Sequence, residues 1–365
     1  MGYVAIRGGE QAIDEAARAL EYLRVRENGK PPVSVDAITT QFHALHGRVL
    51  SEGSLYDPEL AALALKQTGG DTLEASFLLR AYRSTRPRLA DSPVHSTRGM
   101  RLIRRISAAF KDIPGGQMLG PTPDYLHRLL RFELADETPE AFRAAARSWL
   151  KGAPAERLPE SFPKVLDYLR AEGLLEPAVE TVQEPFDITR RPLVFPAPRS
   201  AALATLSRGE TGSVLAIAYS SMRGYGDVHP TVAELRVGYV PVRMPHAITG
   251  EPVEVGEVLM TECEVVAMFD KVEGQKPAFG IGYGACFGHN EVKAISMAIL
   301  DRALQLGARR GPRVPAEDPE FVLLHVDGVD AMGFCQHYKM PHYVTFQSDL
   351  DRLRAAQAQP AEVIS

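Results

Sequence analysis

The segment Phe279-Gly280-Ile281-Gly282-Tyr283-Gly284-Ala285-Cys286-Phe287-Gly288 leaves few choices to the chain that carries it. Glycine at every second position reads as a strand with one face stripped of side chains. Another piece of backbone or a ligand can press close against that face. A helix is expected from near His289 to about Leu306, so strand, glycine turn and helix N-terminus follow in order. That order makes a generic anion cradle. It matches neither glycine-rich phosphate-loop motif, and tight packing is the simpler account.

The pattern around this segment is that of a sheet. Ser213–Tyr219 is an apolar run of strand length, and Val232–Met244 and Val253–Phe269 alternate with many β-branched residues. Phe321–Val326 reads as a further strand. The first third of the chain reads differently. After a short strand at residues 1–8, helices are expected over Glu10–Arg26 and Val35–Leu50. Asp57-Pro58-Glu59 starts another, with aspartate as cap and proline at the first helical position. Asp71 starts the next, with Glu74 at capping-box spacing. The fold class expected is α+β: a mainly helical N-terminal part followed by a mixed α/β sheet domain. Its divisions are a helical domain over 1–135, a variable helical insert or linker over 136–185, and a sheet domain over 186–365. The insert has helical pieces around 138–151 and 160–172.

Bulk properties exclude several classes. A length of 365 residues allows two domains, and 45% hydrophobic with 24% charged residues is ordinary for a soluble globular chain. A net charge of −5 makes no case for nucleic acid or an anionic membrane. No apolar run reaches spanning length, and Met1–Arg7 lacks the apolar core of a signal peptide. Cys263, Cys286 and Cys335 are too few and too scattered for a disulfide framework. A cytoplasmic location is expected.

Four stretches carry possible chemistry. Glu262 and Glu264 lie two apart, so on a strand they share a face. If that face is enclosed, repulsion raises one pKa and leaves an acid beside a base; if it is wet, the pair only solubilises. Arg98, Arg101, Arg104 and Arg105 fall at near-helical spacing, with Lys111 beyond and the turn-rich loop Asp112–Asp124 after them. This reads as a polyphosphate grip, or as a solvated basic face or subunit contact. Arg223 and Tyr225 sit in a loop with two glycines and His229, which suits ligand contact or an ordinary hairpin connection. His337 and His342 flank a bend favoured by Pro341. They read as a two-histidine metal clip or as plain loop histidines. A closed zinc site wants four ligands, so any clip needs others from Cys335, elsewhere in the chain, water or another protein.

Taken together, several stretches resemble one family. They are Val4–Asp14, Leu63–Gln67 with Phe77–Arg83, Arg105–Gln117, Arg223–Gly226, Gly256–Glu264 and His337–Phe346. The chain is similar to PhnI, a subunit of the bacterial carbon–phosphorus lyase core complex of phosphonate catabolism. The resemblance runs nearly the whole length and is weakest over 136–185. It implies that, with partner subunits, methylphosphonate displaces adenine from ATP at the anomeric carbon, giving α-D-ribose 1-methylphosphonate 5-triphosphate. It implies purine nucleosidase action on ATP or GTP for the chain alone. It implies the partners PhnG, PhnH and PhnJ, with the ATPase-type proteins PhnL and PhnK, and two copies of this chain in the complex. The family's metal-binding histidine pair matches His337 and His342, with Zn²⁺ shared with a partner subunit.

Within that expected activity, Glu262 and Glu264 are the residues assigned to the bond-breaking chemistry. Arg104, Arg105, Lys111 and Arg223 are the triphosphate contacts, together with Mg²⁺, and Tyr225 or Tyr283 stacks on the base. These roles rest on residue type and context. The competing expectations are a scaffold subunit without chemistry of its own and a self-contained metal hydrolase built on His337 and His342.

Overall fold

The computed structural model describes residues 9–26, 31–151, 162–177, 184–225, 229–270 and 276–358. The strand expected at residues 1–8 lies outside them, as do residues 226–228 of the Arg223 loop. Helices α1 (Glu10–Arg24), α2 (Val35–Gln41), α3 (His43–Glu52), α4 (Pro58–Gln67) and α5 (Thr72–Ser84) come first. Strand β1 (Arg101–Ile106) follows, then α6 (Pro139–Leu150), α7 (Val165–Ala171), α8 (Arg199–Arg208) and α9 (Thr211–Ser220). The remainder is β2 (Thr231–Pro245), β3 (Pro252–Asp270), β4 (Ala278–Phe287), α10 (Glu291–Arg310), α11 (Pro319–His325), α12 (Gly328–His337) and α13 (Tyr343–Ala358). The fold is α+β.

The chain forms two compact units drawn from interleaved stretches, where pattern alone divided it into consecutive ones. The helical unit takes residues 1–87, 185–217 and 318–365, and the sheet unit takes 88–184 and 218–317. In the helical unit Asp57 accepts the Leu60 amide and Asp71 accepts those of Leu73 and Glu74, so both expected caps form. Val49, Leu50, Ala61, Leu65, Ala75 and Leu79 make its interior. Arg80 donates to both oxygens of Asp327, whose carboxylate also caps α12. Helices α1 and α13 bury no residue.

The sheet unit holds one antiparallel sheet in the order β1-β2-β3-β4. The period-two glycines of β4 seat α10. A Cβ at Gly282 would stand 2.0 Å from the Ala298 carbonyl oxygen, and one at Gly284 would stand 2.1 Å from that of Ala294. Backbone presses on backbone, so the bare strand face is a packing surface and the anion-cradle expectation gives way to it.

Four other expectations are corrected. Ser213–Tyr219 belongs to helix α9, whose first amides, Gly212 and Ser213, donate to the Glu210 carboxylate. Short apolar runs carry no period that separates buried strand from buried helix. Phe321–Val326 falls in and just after α11, started by Asp318 as cap and Pro319 at the first position. Arg101, Arg104 and Arg105 lie on β1, not on a helix; a register shift between Leu102 and Arg104 interrupts the pairing. The expected Val35–Leu50 helix is broken at Phe42 into α2 and α3.

Candidate functional site

Alternation along β3 gives the sheet two unlike faces. Cys263 and Val265 turn towards α10, where a Cβ at Gly282 would meet the Val265 side chain at 2.8 Å. Glu262 and Glu264 turn the other way and share that face with Arg236 and Glu234 of β2 and Tyr283 of β4, their register partners. This second face is enclosed. Glu262 is 2% exposed and Glu264 is 8% exposed. Part of the cover is α7 with the preceding Lys164. Another part is the single turn Thr97–Gly99, capped by Ser96. Between sheet and cover lies a cavity of about 280 Å³ floored by Glu262, Glu264 and Tyr283.

The two carboxylates are held differently. Oε1 of Glu262 accepts hydrogen bonds from Thr97 Oγ1 at 2.6 Å, Lys164 Nζ at 2.9 Å and Tyr283 OH at 3.0 Å. Its Oε2 accepts from Arg236 Nε at 3.1 Å and Nη2 at 2.7 Å. Burial alone would raise its pKa. The Arg236 and Lys164 charges and the Thr97 and Lys164 hydrogen bonds outweigh burial and bring it down to about 2. Among the described residues Glu264 has one hydrogen-bond partner, Lys164 Nζ at 2.8 Å on Oε1, while its Oε2 is buried with none. Burial pushes its pKa up, Lys164 pulls it down and the charge on Glu262 adds to the rise, so the net direction is upward. An ionised carboxylate therefore stands beside one that keeps its proton to higher pH. Burial and the Glu262 charge also raise the Tyr283 hydroxyl, which stays protonated. A second buried atom without a partner, His95 Nε2, belongs to another lining residue.

Lys164 is positioned from both sides by a buried ion pair. Arg105 Nε meets Glu234 Oε1 at 2.5 Å, and neither side chain is more than 1% exposed. Arg105 Nη2 donates to the Pro163 carbonyl at 2.7 Å, and the Val165 amide donates to Glu234 Oε2 at 3.2 Å. The residues before and after Lys164 are thus tied to one pair. Arg105 also holds the 114–116 loop through the Pro114 and Gly116 carbonyls. Arg104 is fully buried and bound to Asp124, Glu291 and the Leu119 carbonyl.

Of the residues singled out from sequence, the structure brings Glu262, Glu264 and Tyr283 together at one cavity. Arg104 and Arg105 are engaged in the interior and do not line it. Lys111 is exposed outside it, and Arg223 is exposed with its guanidinium 5.7 Å from the Tyr219 ring. The Tyr225 side chain lies outside what the structure describes. His95, Thr97, Arg98, Lys164, Asp167 and Arg170 line the cavity, and sequence reasoning did not connect them to the glutamates. Lys164, Asp167 and Arg170 come from the stretch that looked least informative. The available signal was a single one: a strand with carboxylates two apart in an enclosed sheet requires cations from elsewhere.

The histidine pair sits in the helical unit, His337 as the last residue of α12 and His342 just before α13. Their ring centroids are 5.5 Å apart. Each Nδ1 contacts a nearby backbone carbonyl, of Phe334 and of Met340 respectively. With Nδ1 as the donor, the lone pair is left on Nε2, the tautomer a metal ligand needs. With metal–nitrogen bonds of about 2.0–2.1 Å in a tetrahedral arrangement, two ligating rings have centroids roughly 5 Å apart, a separation close to that of this pair. Among the described residues no group of three or more His, Cys, Asp or Glu could hold a metal.

The class of protein is now defined: an α+β chain with an enclosed acid–carboxylate pair in its sheet unit and an open histidine pair in its helical unit. The family model described as PhnI, bacterial phosphonate metabolism protein, matches residues 2–360. A putative C-P lyase subunit protein HtxH of Stutzerimonas stutzeri is 68% identical, over 99% of each chain. The α-D-ribose 1-methylphosphonate 5-triphosphate synthase subunit PhnI of Escherichia coli (strain K12) is 48% identical, over 98% of this chain and 99% of that one. The subunit of the same name from Rhizobium meliloti (strain 1021) is 43% identical, over 96% and 94%. The chain belongs to the PhnI family. No helix among the described residues is long and apolar enough to cross a membrane.

Proposed function

We propose that the chain is the nucleotide-handling subunit of a carbon–phosphorus lyase assembly. With partner subunits it exchanges the base of ATP for methylphosphonate. The bond from ribose C1′ to the purine nitrogen breaks, a bond from C1′ to a phosphonate oxygen forms, and the departing adenine takes up a proton. Two relatives carry the name of the synthase subunit for this product. The observation that carries the reading is the split glutamate pair. Glu262, held ionised, stabilises the positive charge that builds on the sugar. Glu264, with its raised pKa and unpartnered Oε2, gives the proton to the purine. Lys164 touches both and keeps them at a fixed separation. Tyr283 orients Glu262 through its hydroxyl and closes the floor of the cavity.

The partners in this reading are PhnG, PhnH and PhnJ with the ATPase-type PhnL and PhnK, and Mg²⁺ accompanies the triphosphate. Zn²⁺ is held by His337 and His342 with the remaining ligands from a partner subunit. When water replaces phosphonate at the same carbon, the outcome is purine nucleosidase action. The test uses the assembled complex with Glu262→Gln or Glu264→Gln and measures adenine released from ATP. A fall of about 100-fold or more is expected for loss of a positioned acid or carboxylate. Wild-type release from both variants ends this reading. Release that is unchanged in them and lost only when a partner subunit is altered favours the scaffold alternative.

A further inference from the structure

The mouth of the cavity carries a second cluster. Arg98 makes a bidentate pair with Asp167, Nη1 to Oδ2 at 2.5 Å and Nη2 to Oδ1 at 2.9 Å. Arg170 Nη1 donates to the same Oδ1 at 3.1 Å. Two guanidinium groups thus share one carboxylate, which leaves a net positive charge. Both are about half exposed, with side-chain exposures of 58% and 51%. Among the described residues, Nε of Arg98 and Nε and Nη2 of Arg170 have no hydrogen-bond partner. These are donors in a fixed fork, the geometry that matches oxygens on phosphorus.

An ordinary surface ion pair would look similar in isolation. What sets this one apart is how its backbone is fixed. Thr97, next to Arg98, donates its hydroxyl to Glu262, and its carbonyl accepts from Arg236 Nη2 at 2.7 Å. Asp167 and Arg170 lie on α7, whose cap residue Lys164 binds both glutamates. Each guanidinium is therefore mounted on an element bolted to the carboxylate pair. The buried Glu264 Oε2, without a partner, completes a cavity built for a ligand.

We propose that Arg98 and Arg170, clamped together by Asp167, form the site for a phosphorus oxyanion that enters this cavity. The site deepens the function proposed above and rests on that reading for its place in the reaction. It takes the oxygens of the incoming phosphonate or of the nucleotide's phosphate chain. It does the work that sequence spacing assigned to Arg104 and Arg105, which the fold uses internally.

The experiment is carried out on the assembled complex with Arg98→Gln, Arg170→Gln and the double variant. It measures KM for methylphosphonate and for ATP, with direct calorimetric binding of methylphosphonate and of pyrophosphate. At least one ligand is expected to weaken 10-fold or more in the double variant, and Arg170→Lys should restore part of the loss. A shift confined to methylphosphonate identifies the nucleophile as the occupant, and one confined to ATP and pyrophosphate identifies the phosphate chain. Either supports the site. Wild-type KM and binding for every ligand in the double variant overturns it. The two proposals fail separately. Weakened anion binding with normal base release in both Glu262→Gln and Glu264→Gln leaves the oxyanion site standing and removes the carboxylate chemistry. The opposite pair of results does the reverse.

Discussion

Glu262 in the sheet unit is 2% exposed and accepts hydrogen bonds from Thr97, Lys164, Arg236 and Tyr283. His337 and His342 in the helical unit lie at the surface, and their bonds are to carbonyls within three residues of themselves. Both clusters are places where this chain gathers titratable groups, and they differ in what completes them. The glutamate cluster is completed from within, by groups reaching it from other elements of the same unit. Such a cluster is part of the fold: its charges were desolvated when the sheet was covered, and each relies on its partner to remain buried. The histidine pair is tied only to its own turn, so folding neither requires it nor finishes it. In the reading proposed above, its remaining ligands come from a partner subunit. The distinction teaches where to expect stability effects and where to expect assembly effects.

The largest effect should therefore come from Glu262→Ala. It leaves Arg236 buried without its anion and Lys164 with Glu264 alone, and breaking a buried pair from one side costs about 3–5 kcal/mol. Urea denaturation of the variant measures this, and a change below about 1 kcal/mol would erase the contrast drawn here. Gly282→Ala comes next. Its new methyl would meet the Ala298 carbonyl oxygen at 2.0 Å, so α10 must shift from the sheet, at roughly 1–3 kcal/mol or more. Gly250→Ala, in the hairpin turn, meets nothing within 4 Å and opposes only its own φ of 73°; it separates steric packing from backbone strain.

A pH titration sharpens the comparison inside the glutamate pair itself. The folded pKa of Glu262 is lowered from 4.5 to about 2. Its contribution is present above about 4.5 and is lost as pH falls through about 2, worth on the order of 3 kcal/mol by linkage. Glu264 moves the opposite way. With its folded pKa raised, its effect is fully favourable below the unfolded value of about 4.5 and is lost as pH rises through the folded value. Denaturation midpoints across pH should show both limbs. Glu262→Gln should flatten the acid limb, and Glu264→Gln the alkaline one. Identical profiles for the two variants would mean that the pair does not split.

Much of the frame was legible in the residues. The Asp57 and Asp71 caps, the period-two glycines and the alternation of β3 each follow from local rules, and each forms. The misreadings have physical causes. Asp318-Pro319-Glu320 repeats the tripeptide at Asp57, so the helix start at α11 was written in the chain; the apolar run Phe321–Val326 obscured it. Arg104 and Arg105 have residue types suited to phosphate, but adjacent positions on a strand project to opposite faces. Each is buried and paired with a carboxylate of its own, Arg104 with the part-exposed Asp124 and Arg105 with the buried Glu234. The cavity's cations were illegible for a different reason. Lys164 is 98 positions from Glu262, and it reaches the glutamates because Arg105 and Glu234 grip the residues on either side of it. No local pattern encodes a contact that depends on a third and fourth residue from other strands.

The smallest effect on folding, and the sharpest test of the contrast, belongs to the histidines. His337→Ala and His342→Ala should each move the stability of the chain by no more than about 0.5 kcal/mol, as for surface sites away from caps and cores. The same substitutions should each remove Zn²⁺ from the assembled complex, because each takes away one of the four ligands. Metal analysis of isolated chain and complex, side by side, reads both halves. The isolated wild-type chain should hold zinc weakly, since two imidazoles leave half of the coordination sphere to water. Stoichiometric zinc in the isolated chain would show that the pair is completed from within after all, and would favour a self-contained metal hydrolase. Loss of zinc from the complex with denaturation midpoints unchanged would instead mark these two side chains as belonging energetically to an interface rather than to the fold that carries them.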